Sequence, residues 1–172
     1  LVMGPWWHGG WSRSDGDRYQ DLYFEQKTAV HYRENIELPF FNHYLKDGPA
    51  HDLPDASIFI TGSNQWRGFD QWPPKEAAPK SLYLQPGGDL SFDMPSGDNE
   101  YEEYISDPAK PVPHTPKTVI RRDDRYVVQD QRYASTRTDV LVFESDVLTE
   151  DLTVTGDLFA HLYVTTTGTD AD

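Results

Sequence analysis

Residues 4–13, GPWWHGGWSR, set His8 between two tryptophans and two glycines directly after the apolar run LVM. An imidazole moves protons near neutral pH more readily than any other side chain. Two readings fit this surrounding. Trp6 and Trp7 are core residues and His8 a structural turn residue beside them, or the glycines leave room for a reactant to approach an imidazole aimed by the preceding strand.

Other chemistries find less support. His8, His31, His43, His51, His114 and His161 never fall at HxH or HExxH spacing, so a zinc site has little local support and no metal ligand is assigned. Asp15, Asp17 and Asp21 in SDGDRYQDLYFE invite a calcium loop, but its sixth and twelfth positions are Gln20 and Gln26 rather than glycine and an acid. A solvated acidic turn is the expectation there. The strained serine elbow of hydrolases reads G-x-S-x-G; GWSRS, residues 10–14, breaks it at Ser14, which weighs against Ser12 as a nucleophile. A catalytic His8 therefore needs its partners from outside these residues.

The elements around His8 suit that role. Strand LVMGPW, loop, and then a helix over residues 28–45 follow the order at the end of an α/β-hydrolase domain, where the histidine sits on the loop after the last strand. Ala29, Tyr32 or Arg33, Ile36, Phe40 and Tyr44 recur at the helical period, and Pro39 predicts a bend near Glu37 or Leu38. After the connector KDGPAHDLPD the period changes to two. ASIFITG reads as a strand, SLYLQPGGDLSF as two short strands around a Pro-Gly-Gly turn, and TDVLVFES as a strand covered on both sides. Leu152, Val154, Leu158, Ala160, Leu162 and Val164 share one parity, which predicts a long core-facing strand with a bulge or bend at Gly156. DPAKPVPHTPK is a proline-rich loop, and GDNEYEE a solvated one.

The expected fold class is thus mainly β: residues 1 to about 50 read as strand, loop and helix, and residues from about 55 onward as a many-stranded antiparallel sandwich. The first and last residues both read as strand, which points to a piece of a longer protein. Its 172 residues suffice to bury roughly two-thirds of the surface exposed on unfolding. A formal charge of 15 − 29 = −14 argues against nucleic acid as a partner, because counterion displacement needs clustered cations. With Cys 0 there is no disulfide framework and no thiolate metal site. No apolar run reaches the ~18 residues of a membrane span, so no membrane partner is expected.

LVMGPWWHGG, followed by YRENIELPFFNHYLKDG and IFITGSNQWRGFDQWPP, resembles the junction of catalytic and C-terminal β domains in the cocaine-esterase and X-Pro dipeptidyl-peptidase superfamily. Within it, the α-amino-acid ester hydrolases and glutaryl-cephalosporin acylases are most alike. The resemblance covers essentially the whole chain, including RTDVLVFESDVLTEDLTVTGDLFAHLYVTTTGTDAD. It implies a serine hydrolase without a cofactor, with a helical cap, residues 1–50 as the C-terminal end of its α/β-hydrolase domain, and residues 51–172 as an incomplete jelly-roll, galactose-binding-like β domain. One catalytic residue carries over: His8 matches the triad histidine. The nucleophilic serine, triad aspartate and oxyanion-hole tyrosine lie upstream of Leu1 in that family, so the missing N-terminal catalytic region of the same polypeptide is an implied partner. A small ester, amide or peptide is the implied substrate, and export to the periplasm or medium and homo-oligomerisation are further implications. The isolated fragment is expected to be inactive. A rival reading is a non-catalytic β-sandwich binding module, for carbohydrate among other ligands. Trp66 and Trp72 are expected as packing between the two parts rather than as a sugar platform.

Overall fold

The computed structural model describes residues 1–97, 101–121 and 124–169, and it divides into two compact units, Leu1–Ala77 and Ala78–Asp172.

The first unit is built on a three-stranded sheet in the order β1-β4-β5. β1 (Val2–Met3) runs parallel to β4 (Ala56–Ile60), with Val2 beside Ser57 and Met3 beside Ile58. β5 (Gln65–Phe69) returns antiparallel to β4, in register from Ala56 opposite Phe69 to Ile60 opposite Gln65. The turn between them uses Gly62 at φ 87° and Asn64 at φ 51°, residue types that tolerate the left-handed region. As the central strand, β4 is covered on both faces: Ala56, Ser57, Ile58 and Phe59 are all buried. Phe59 meets Phe24 edge-on at 5.6 Å between ring centroids and Trp66 at 5.6 Å. Through this pairing β4 and β5 share one sheet with β1 inside the first unit.

Between β1 and β4 lie the short helix α1 (Gly10–Arg13), a tight hairpin of β2 (Arg18–Tyr19) and β3 (Leu22–Tyr23), and a three-part helix. That helix begins as α2 (Thr28–Tyr32), widens into a π turn (Arg33–Glu37) and resumes as α3 (Leu38–Lys46). Pro39 explains the break. It has no N–H for a regular helical bond and its ring crowds the preceding turn, so the ladder shifts register just before it. α3 ends with Asp47 at φ 50°, and the Gly48 N–H donates to Asn42 O at 2.9 Å. The apolar face expected along the whole helix is buried only in its first half. Ala29 and Ile36 are buried, whereas Phe40 and Tyr44 are exposed and pack on each other at 4.7 Å.

In the second unit β6 (Tyr83–Leu84) and β7 (Leu90–Ser91) form the hairpin expected around Pro-Gly-Gly, which folds as a 3-10 turn (Pro86–Gly88). Leu90 N–H donates to Glu144 O at 3.0 Å and Glu144 N–H to Gly88 O at 2.9 Å, a single parallel bridge where TDVLVFES had predicted a covered strand. Two further 3-10 turns, Asp124–Val128 and Arg132–Thr136, complete its regular structure among the described residues. The acidic GDNEYEE stretch lies partly outside the described residues, at 98–100. Residues 145–169 correct the long strand read at 152–164: they contain no strand, although the chain does bend at Gly156. Leu158, Phe159, Leu162 and Val164 are exposed. A period of two assigns faces to side chains but supplies no neighbour, and without ladder bonds an extended segment is not a strand.

Candidate active-site histidine

The turn that carries His8 is assembled from both sides. After β1 the Trp6 ring folds back over Gly4, where a Cβ would lie 2.3 Å from the ring, so only glycine admits that approach. Trp6 packs on Tyr32 at 5.2 Å and on Trp66 at 5.9 Å, and Trp7 on Tyr19 at 5.4 Å. Gly9, at φ 79°, opens α1, and the Gly10 N–H donates to Trp7 O at 2.8 Å. A Cβ on Gly10 would sit 3.1 Å from the Trp7 ring. Both glycines are buried while His8 between them and the tryptophans is exposed. The rings are therefore packing, the glycines let the turn close on them, and the imidazole is what the turn presents outward.

Among the described residues His8 makes an edge contact with Trp11, 6.4 Å between centroids, and no hydrogen bond. Ser12 does not face it as a nucleophile: its hydroxyl donates to Gly9 O at 3.1 Å within the same turn. Asp15 is engaged elsewhere. Lys27 Nζ lies 2.8 Å from its carboxylate, and that hydrogen bond and charge hold the Asp15 pKa below the usual range. Asp17 accepts the Phe24 N–H on its backbone carbonyl at 2.9 Å, so the acidic stretch folds as the β2–β3 hairpin.

The remaining histidines of the first unit serve packing. His31 stacks on Trp66 at 5.2 Å and 21°, so Trp66 fills the space between helix and sheet. Asn35 Nδ2 lies 3.4 Å from its Nδ1. His43 Nδ1 donates to Gly48 O at 3.3 Å, and His51 accepts the Leu53 N–H at 3.4 Å. Trp72 packs on Phe69. Among the described residues no group of three histidine or carboxylate side chains could hold a metal ion, and no helix is long and apolar enough to cross a membrane.

Two residues that the motifs did not single out support the turn. Thr28, fully buried, accepts the Trp6 indole N–H at 2.8 Å and donates to Gly16 O at 2.6 Å. Arg33 Nη1 donates to Trp11 O at 2.5 Å and to Ser14 O at 2.9 Å. Their partners lie 12 to 22 residues away, and no local pattern signals such reach.

A parallel strand thus leads into a glycine turn that presents an imidazole outward. Residues 49–172 match the X-Pro dipeptidyl-peptidase C-terminal non-catalytic domain, and the chain belongs to this family. The match is consistent with a C-terminal β domain. Over its whole length the chain is 30% identical to the cocaine esterase of Rhodococcus sp. (strain MB1 Bresler), of which it covers 31%. Two solved structures are similar. An α-amino-acid ester hydrolase shares 43% identity at a TM-score of 0.79, over 91% of this chain and 27% of that one. An aminopeptidase from a marine sediment archaeon, Thaumarchaeota archaeon, shares 41% identity at a TM-score of 0.73, over 83% and 24%. The superfamily resemblance read from the sequence is thereby shown. The chain spans about a third or less of the length of these relatives.

Proposed function

We propose that this chain is the C-terminal part of a serine-type acyl hydrolase, in which His8 acts first as general base and then as general acid. The observation that carries the reading is the exposed imidazole on a packed glycine turn after a parallel strand, in a chain that aligns end to end with an esterase. Ligands of open α/β sheets bind beyond the carboxyl ends of the strands, and His8 follows that end of β1.

The chemistry needs a serine and a carboxylate from the remainder of the longer polypeptide. The neutral imidazole takes the serine proton as its oxygen bonds to the acyl carbon. It returns that proton to the departing alcohol or amine as the carbon–heteroatom bond breaks, leaving an acyl-enzyme. Water then repeats the cycle, its proton going to His8 and back to the serine oxygen as the acid is released. A small ester, amide or peptide is the substrate class, in keeping with relatives named as esterase, ester hydrolase and aminopeptidase. On this reading residues 1–50 close the catalytic domain, and residues 51–172 form a jelly-roll, galactose-binding-like β domain. The description of the matched family as non-catalytic supports a supporting or binding role for that second part.

The test is turnover by the longer polypeptide against amino-acid esters, β-lactam amides and X-Pro peptides. His8→Ala is expected to lower kcat on the order of 10⁴-fold, the scale of losing a triad base. Near-normal turnover by that variant rejects the assignment.

A further inference from the structure

Resting on the reading of His8 as the catalytic base, we infer that Thr28 and Arg33 are positioning residues that aim its turn. They lie five residues apart at the start of the long helix and grip the His8 loop on opposite sides.

Upstream of His8, the Trp6 indole N–H ends on Thr28 Oγ1 at 2.8 Å, and the Thr28 hydroxyl continues to Gly16 O at 2.6 Å. Each hydroxyl function is used in the direction that its chemistry permits, one bond accepted and one donated. Because Thr28 is fully buried, water cannot replace either partner. The path from Trp6 to His8 is two residues, so the place of the indole sets where the turn begins. Downstream of His8, Arg33 holds the carbonyls of Trp11 and Ser14, at the end of α1, which starts two residues after the histidine. Arg33 opens the π turn that precedes Pro39. The register shift forced by the proline is thus adjacent to the side chain that secures α1, and the fold couples the helix break to the loop.

Within this chain the His8 ring has no hydrogen-bond partner among the described residues, so the backbone turn sets where the ring stands. Effective catalysis requires reacting atoms within a few tenths of an ångström of their productive distance, and a misplacement of about 1 Å costs on the order of 100-fold. Loss of either grip should therefore lower turnover without changing which atoms react.

Kinetics of the longer polypeptide and NMR of this chain test the inference together. Thr28→Val keeps shape and removes the hydroxyl; Thr28→Ser keeps the hydroxyl; Trp6→Phe keeps a ring and removes the donor; Arg33→Gln removes the clamp. We expect Thr28→Val, Trp6→Phe and Arg33→Gln each to lower kcat about 10- to 100-fold at nearly constant KM, with Thr28→Ser restoring most of the loss. In this chain the His8 ring resonances should shift or broaden in the same three variants and recover in Thr28→Ser. If His8→Ala abolishes turnover while Thr28→Val and Arg33→Gln keep normal kcat, the positioning role is overturned and the base assignment stands. If His8→Ala is itself active, the base assignment fails. The ring resonances then decide the grip alone, and unchanged His8 signals in all three variants overturn it. Arg33→Gln and Trp6→Phe keep the question answerable should Thr28→Val not fold.

Discussion

The indole Nε1–H of Trp6 donates to the hydroxyl of Thr28 at 2.8 Å, joining the strand end before His8 to the first turn of α2 across 22 residues of sequence. Thr28 is fully buried and passes its own proton to Gly16 O. Replacing it with valine would leave a donor and an acceptor without partners. The expected cost is about 1–3 kcal/mol, the penalty for an unsatisfied buried group, read from urea unfolding of the chain by tryptophan fluorescence.

Gly16 shows how closely that junction is packed. It adopts φ 72°, and a Cβ there would come within 2.5 Å of Ala29 N. Gly62 adopts a similar φ of 87° in the β4–β5 turn, with nothing within 4 Å of the added atom. Gly62→Ala should cost only the left-handed strain, about 1–2 kcal/mol. Gly16→Ala should cost clearly more, because backbone must also move. Equal unfolding midpoints for the two variants would contradict this packing.

The stability of the first unit should depend on pH through His31. Burial against Trp66 holds its pKa below the ordinary value of 6.5. Asn35 Nδ2 can only donate, so the Nδ1 it faces accepts and the proton of the neutral ring sits on Nε2. A base with a depressed folded pKa binds fewer protons folded than unfolded. Its stabilising contribution is whole above 6.5 and is lost as pH falls through the lowered folded value. Tm measured from about pH 7.5 to about pH 5 should therefore decline for the parent chain and decline less for His31→Phe.

The two units should respond differently to truncation of apolar side chains. Phe59, buried between Phe24 and Trp66, should cost about 3–5 kcal/mol as Phe59→Ala. Leu158, 81% exposed, should change stability by less than about 0.5 kcal/mol as Leu158→Ala. A large loss at Leu158 in chemical denaturation would mean that residues 152–164 are packed after all.

His8 separates stability from activity. It is exposed and among the described residues makes only the ring contact with Trp11, so His8→Ala should leave the unfolding free energy within about 0.5 kcal/mol of the parent. Calorimetry of the variant, set beside the turnover assay, tells a lost base from a lost fold.

Local rules were enough for part of this architecture. Pro39 announced the break in the long helix because a missing N–H and a ring clash act within one turn. Pro-Gly-Gly announced the β6–β7 hairpin because left-handed backbone demands glycine, and the same demand at Gly9 marked the His8 turn. The resemblance to hydrolases was legible for a similar reason, since each stretch that carries it is read along the chain without a partner.

What the tertiary structure alone decided is which long-range partners exist. Val2 pairs with Ser57, which drew β4 and β5 into the first unit. Trp66 stacks on His31, and Thr28 and Arg33 reach back to the His8 loop. At 152–164 a strong alternation forms no strand. Periodicity is written residue by residue along the chain, whereas a ladder, a ring stack or a buried hydroxyl needs a second segment brought alongside, and only folding selects that segment.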